Sequence, residues 1–257
     1  MKYYVIPNLN EINKYLDLSN EYNLGFEYNE FYNPKLLDNE EELNKTIDAY
    51  KKLNRKNDTI HGVFYDITLD SCDPKISAIA LERVRKSLDI ASKLNCKGVI
   101  FHTNYITWMK DEKYQTSWVN KNKEIYLKLI EEYKDLEIYI ENMFDDSPDL
   151  LYRLVSEINH ERIGVCLDVA HAMISNIDIS EWFNKLNKYI KHIHINDNDR
   201  KIDSHTEIGK GLIDFNLVYK YMNKLDSNTT VLIEIKDYQK TLNSINYLKA
   251  GDFNAFK

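Results

Sequence analysis

The sequence predicts an α/β fold, a (β/α)8 TIM barrel built as a single domain over residues 1–257, and three observations carry that prediction. Short apolar runs alternate with longer amphipathic segments from one end to the other, the pattern of parallel strands joined by crossover helices. Eight such runs fit in 257 residues, close to the roughly 250 that a barrel of this kind uses. The third through eighth runs each carry His, Asp or Glu at or near their ends, and a closed barrel brings its strand C-termini to one functional face. A doubly wound open sheet is the alternative, but its crevice is fed by only a few strand ends.

The eight runs are residues 3–6, 25–28, 59–62, 98–102, 137–141, 163–167, 190–195 and 231–235. Between the third and fourth, Ile76, Ile79, Ala80, Val84, Leu88, Ala91 and Leu94 recur at helical spacing, and Asp73-Pro74 supplies a cap and a first-turn proline. Ser147-Pro148 serves the same purpose before a helix at 150–158. Gly209 and Gly211 punctuate the longest late loop. No Pro/Gly/Ser-rich linker or low-complexity tract interrupts this alternation.

A chain that is 43% hydrophobic and 12% aromatic has ample material for a packed core. The formal charge of -7 argues against a broadly basic surface that coats nucleic acid, while leaving room for a local basic groove. Cys72, Cys96 and Cys166 lack metal-type spacing and read as reduced, buried thiols. The N-terminus has no long apolar core, and no segment approaches about 20 apolar residues. The expectation is a cytoplasmic protein with no membrane association and no evident protein partner.

The chemistry concentrates at the ends of the runs. The third ends in His61 and the fourth in His102, while the fifth ends in Glu141, a carboxylate that needs a cation after so apolar a run. Gly164-Val165-Cys166-Leu167-Asp168-Val169-Ala170-His171 stops an apolar run at an acid and, three residues on, an imidazole. Asp168 reads equally as the N-cap of a following helix. In the seventh run His192 and His194 share one strand face, with His194 nearer the end and His192 a buried supporting imidazole. Asp203 and His205 follow in the next loop, and Glu234 lies inside the eighth run. Six successive ends carrying such residues exceed coincidence. Nitrogen and carboxylate ligands without cysteine suit a divalent metal: zinc first, manganese or iron also.

Gly164 to Ala172, and the segment His192-Ile193-His194-Ile195-Asn196-Asp197 with Asp203-Ser204-His205-Thr206-Glu207-Ile208-Gly209-Lys210-Gly211, resemble the signatures of the endonuclease IV (AP endonuclease family 2) and xylose isomerase-like TIM-barrel superfamily. The resemblance spans nearly the whole chain. It implies three zinc ions held by His61, His102, Glu141, Asp168, His171, His194, Asp203, His205 and Glu234. His61 and His102 would hold one ion with Glu141 bridging to a second, Asp168, His194 and Glu234 would complete the second, and His171, Asp203 and His205 would hold the third. The same superfamily contains one-metal sugar or sugar-phosphate isomerases and epimerases. There Glu141, Asp168, His194 and Glu234 would hold the ion, and Glu141 and Glu234 would be the catalytic acid/base pair.

The ligands beyond those four have no necessary role in a one-metal epimerase, which favours hydrolysis of a phosphoester, either abasic DNA or a smaller phosphorylated substrate. Arg200 and Lys210 are the candidate substrate-binding cations, with Lys201 and Lys236 nearby in sequence. Residues Thr103 to Trp118 read as one loop that mixes aromatics with lysines, a stacking surface for a base or sugar ring or a lid over the barrel mouth.

Overall fold

In the computed structural model, which describes residues 1–251 and 256, eight parallel strands follow one another around a closed barrel in sequence order. They are β1 (Lys2–Val5), β2 (Gly25–Tyr28), β3 (Thr59–His61), β4 (Gly98–His102), β5 (Glu137–Glu141), β6 (Ile163–Asp168), β7 (Ile190–Ile195) and β8 (Thr230–Ile233). The helices, in chain order, are α1 (Ile12–Tyr22), α2 (Pro34–Leu37), α3 (Glu40–Lys51), α4 (Pro74–Lys93), α5 (Glu112–Glu132), α6 (Asp149–Ile158), α7 (Val169–Ile174), α8 (Ile179–Leu186), α9 (Phe215–Met222) and α10 (Tyr238–Ala250). All eight expected strands form. The last ends two residues early because the Ile235 N–H turns back onto the Ile233 carbonyl at 2.9 Å.

The chain divides into two compact units. One comprises residues 1–27, 142–148 and 165–257. Here β1 pairs with both β2 and β8, and β7 pairs with β6 and β8, with Asp168 opposite His194 and His192 opposite Thr230. Apart from Lys2 and Lys191, its strand residues are buried because helices cover the outer face and side chains fill the inner one. The backbone of β2 approaches β1 so closely that a Cβ on Gly25 would lie 2.4 Å from the Tyr4 ring.

The other unit comprises residues 28–141 and 149–164, with β4 paired to both β3 and β5 and His102 opposite Glu141. Asp73 caps α4 by accepting the Lys75 N–H at 2.8 Å, and Pro74 starts the helix, as its sequence position predicts. Asp111 caps α5 by accepting the Tyr114 N–H at 3.0 Å, which corrects the reading of 103–118 as one loop. Trp118 is 1% exposed on α5 as a core residue, whereas Trp108 is 79% exposed on the loop before it. Of the three cysteines, Cys96 and Cys166 are buried as expected, while Cys72 is exposed. Among the described residues no helix is long and apolar enough to cross a membrane.

Candidate metal centre

In the unit built on β3 to β5, the ends of three strands bring together His61, His102 and Glu141, all buried. The Nε2 atoms of His61 and His102 each lie 3.4 Å from the same carboxylate oxygen, Glu141 Oε2. That is long for a charge-assisted hydrogen bond, which sits near 2.7–2.9 Å. The His61 Nδ1 has the Gly62 carbonyl at 3.1 Å. A carbonyl only accepts, so Nδ1 carries a proton and Nε2 is the nitrogen turned toward Glu141. The Phe64 ring stacks on His102 at 4.7 Å and meets the His61 ring edge-on at 5.2 Å, walling this triad on one side.

In the other unit, β6 ends in Asp168, whose Oδ1 accepts the His171 backbone N–H at 2.6 Å. The capping role is therefore real and ties the two predicted ligands together. The Asn142 side chain bonds Asp168 at both backbone atoms, 2.9 Å each, and the Asn142 carbonyl takes the Nδ1–H of His171 at 2.9 Å. His171 Nε2 then lies 3.2 Å from Asp203 Oδ2. His205 repeats the pattern, with Nδ1 donating to the Glu234 carbonyl at 2.8 Å and Nε2 at 3.0 Å from Asp203 Oδ2.

Two imidazoles thus converge on one carboxylate oxygen, while Asp203 Oδ1 is buried with no hydrogen-bond partner among the described residues. Burial pushes the Asp203 carboxyl up, but the hydrogen bonds from His171 and His205 outweigh it and hold the group well below the usual carboxylate range. Burial pushes His205 down, and the charges of Glu234 and Asp203 with their hydrogen bonds more than reverse this, raising it to about 10.

Backbone carbonyls fix three of these rings so that Nε2 faces a carboxylate oxygen. Two acceptors held face to face need a proton or a cation, and carbonyl-anchored imidazoles are how proteins present nitrogen ligands to metals. The donor set therefore fits a divalent ion, of the nitrogen–oxygen type that zinc, manganese and iron accept.

His194, on β7, lies with its Nδ1 3.5 Å from Glu234 Oε2. Its Nε2 is 3.2 Å from Oε1 of Glu27, a residue that the sequence reading left out. The second Glu27 oxygen takes His192 Nε2 at 3.2 Å, and His192 Nδ1 meets Thr230 Oγ1 at 2.6 Å, so His192 is the buried supporting imidazole expected. Burial pushes the Glu27 carboxyl up, but the charge of His194 and hydrogen bonds from both imidazoles hold it well below the ordinary range. The signal for Glu27 was present: Gly25-Phe26-Glu27-Tyr28 buries an acid inside an apolar strand, as Glu141 and Glu234 do.

The 199–213 loop carries Asp203, His205, Arg200 and Lys210. It is anchored by Asp197, another residue not anticipated. Asp197 is fully buried and accepts the N–H groups of Asn198, Gly209 and Gly211 at 2.9 Å each, and of Ile213 at 3.1 Å. Gly209 adopts φ +85°, a region open to glycine, and a Cβ on Gly211 would lie 2.3 Å from Asp197 Oδ1. Arg200 and Lys210 themselves are exposed.

Fold and site together define a parallel barrel with acid–imidazole clusters at its strand ends. The chain belongs to the xylose isomerase-like TIM barrel family, whose model matches residues 20–251. It is 33% identical to protein MJ1614 of Methanocaldococcus jannaschii over 185 residues, 70% of each chain. It is 25% identical to a probable endonuclease 4 of Mesomycoplasma hyopneumoniae over 168 residues, 58% of this chain and 59% of that one. Among solved structures, a D-tagatose 3-epimerase-like protein superposes with a TM-score of 0.78 at 22% identity, covering 97% and 96% of the two chains. The TTHB071 protein from Thermus thermophilus, soaked with zinc chloride, does so with 0.77 at 21% over 97% of each. At these identities the structural likeness is one of fold.

Proposed function

We propose that this protein is a multinuclear metal-dependent phosphoester hydrolase of the endonuclease IV type, acting on abasic DNA or a smaller phosphorylated substrate. The observation that carries this reading is the convergence of His171 and His205 on Asp203 Oδ2, at 3.2 and 3.0 Å. A one-metal isomerase would need only Glu141, Asp168, His194 and Glu234, leaving that arrangement and the His61–His102 pair without work.

His61, His102 and Glu141 would hold one ion, Asp168, His194 and Glu234 a second, and His171, Asp203 and His205 a third, with zinc the best match to the donors. Such ions supply Lewis acidity to a phosphoryl oxygen and make water nucleophilic near neutral pH. The chain's own contribution is to fix ligand direction: the carbonyls of Gly62, Asn142 and Glu234 hold Nδ1 protons so that Nε2 is the donor. Arg200 and Lys210, exposed on the loop that carries Asp203 and His205, would neutralise the substrate phosphate. The 25% identity to a probable endonuclease 4 agrees with this chemistry.

The test gives the zinc- or manganese-loaded protein a duplex containing a tetrahydrofuran abasic site, bis(p-nitrophenyl) phosphate, and a panel of ketoses in deuterated water. Cleavage of a P–O bond that is lost in His171→Ala supports the proposal. Solvent deuterium entering a ketose, with neither phosphoester cut and with loss of exchange in Glu141→Gln or Glu234→Gln, overturns it in favour of an isomerase or epimerase.

A further inference from the structure

Glu27, on the second strand, is a fully buried acid beside the proposed ligands and supplies no ligand under the reading above. Both rings it touches, His192 and His194, are fully buried as well. Burying a carboxylate is costly unless its charge is compensated, and here both oxygens face imidazoles, Oε1 approaching His194 and Oε2 hydrogen-bonded to His192, both at 3.2 Å. His192 is held from its other side by the Thr230 hydroxyl at 2.6 Å, so this ring has no direction left in which to serve a ligand. His194 differs, because its second nitrogen faces Glu234 Oε2 at 3.5 Å.

The two nitrogens of His194 therefore meet two carboxylates, Glu27 on β2 and Glu234 just past β8. A neutral imidazole carries one proton. Nε2 lies 3.2 Å from Glu27 Oε1 and Nδ1 3.5 Å from Glu234 Oε2, and the closer, more deeply buried acid favours the proton on Nε2, with the Nδ1 lone pair toward Glu234. For His61, His171 and His205, neutral carbonyls set ring direction through Nδ1. At His194 a carboxylate sets it through Nε2, which reverses the donor atom and adds negative charge behind the ring. An anion hydrogen-bonded to the far side of an imidazole makes the near nitrogen a stronger donor.

We propose that Glu27 is a positioning residue that fixes His194 in its Nε2–H form and strengthens Nδ1 as a ligand, with His192 and Thr230 holding the Glu27 carboxylate in place. This rests on the assignment of His194 as a metal ligand. Glu27→Gln keeps the shape and can still accept from His194, but removes the charge. Glu27→Leu removes both.

The experiment titrates metal-free protein with zinc against a chromophoric chelator, and follows the binding step that disappears in His194→Ala. Long-range proton–nitrogen NMR of the histidine rings reads the tautomer, and circular dichroism with thermal melting confirms that each variant is folded. Glu27→Gln is expected to weaken that step by roughly 10–100-fold while keeping the Nε2–H signature of His194. Glu27→Leu is expected to lose the signature as well. A folded Glu27→Gln whose step weakens by less than about tenfold overturns the proposal, and so does an Nδ1–H signature for His194 in the parent protein. If His194→Ala abolishes no step at all, the metal assignment fails with it, an outcome distinct from failure of Glu27 alone.

Discussion

His205 places Nε2 3.0 Å from Oδ2 of Asp203, so the two residues share one proton in the metal-free protein. That proton is strongly held, since His205 is raised to about 10 from an ordinary value near 6.5. A group with a raised folded-state value adds stability that is complete below its unfolded value and is lost as pH climbs through the folded one. Metal-free protein should therefore melt at progressively lower temperature between about pH 6.5 and 10. The His205 side chain is 38% exposed, so solvent screens part of the effect. The Glu234 charge is the largest cause of the raised value and Asp203 the next, so Asp203→Asn should reduce this dependence without abolishing it, and melting curves at pH 6, 8 and 10 check it.

A divalent ion has to displace that proton. Zinc affinity should rise steadily with pH across the same interval, and zinc binding should release protons into weakly buffered solution. Chelator competition at several pH values measures the first effect, and calorimetry in two buffers of different ionisation enthalpy measures the second. Affinity independent of pH would separate His205 from the metal.

Asp197 holds the ligand-bearing loop through four backbone N–H groups. Asp197→Ala leaves those donors unsatisfied and should destabilise the protein by about 3 kcal/mol or more. Thermal or urea unfolding gives that figure. Gly211→Ala drives a Cβ to 2.3 Å from Asp197 Oδ1 and should loosen the same loop. Both variants should lose the ion proposed for His171, Asp203 and His205 before any other.

Asp168 and His171 divide along the same line. Asp168→Ala removes a proposed ligand and also the N-cap of α7, a loss of roughly 1 kcal/mol, and should abolish activity of either chemical type. His171→Ala should cut phosphoester cleavage by roughly 100-fold or more and reduce bound metal by one ion. Equal losses of metal and activity in the two variants would contradict the division.

The sequence was most legible where chemistry and periodicity coincided. All eight strands were visible as apolar runs, and the acid or imidazole at six of their ends marked the candidate site because charge is costly in such surroundings. Glu27 obeys the same rule but sits in the middle of a short strand, where a glutamate between Phe26 and Tyr28 passes for an outward-facing residue. Asp197 escaped because its partners are backbone N–H groups 12 to 16 residues further on, at Gly209, Gly211 and Ile213. Sequence spacing does not report where a loop folds back. Trp118 was misread because the Asp111 cap that starts its helix lies within a stretch rich in loop-forming residues.

Metal content tests the central claim most directly. Protein stripped with chelator, reconstituted with excess zinc and passed through a desalting column should retain close to three zinc ions per chain by mass spectrometric elemental analysis, falling to about two in His171→Ala. A single tightly held ion, unchanged by His171→Ala or His205→Ala, would contradict the multinuclear reading.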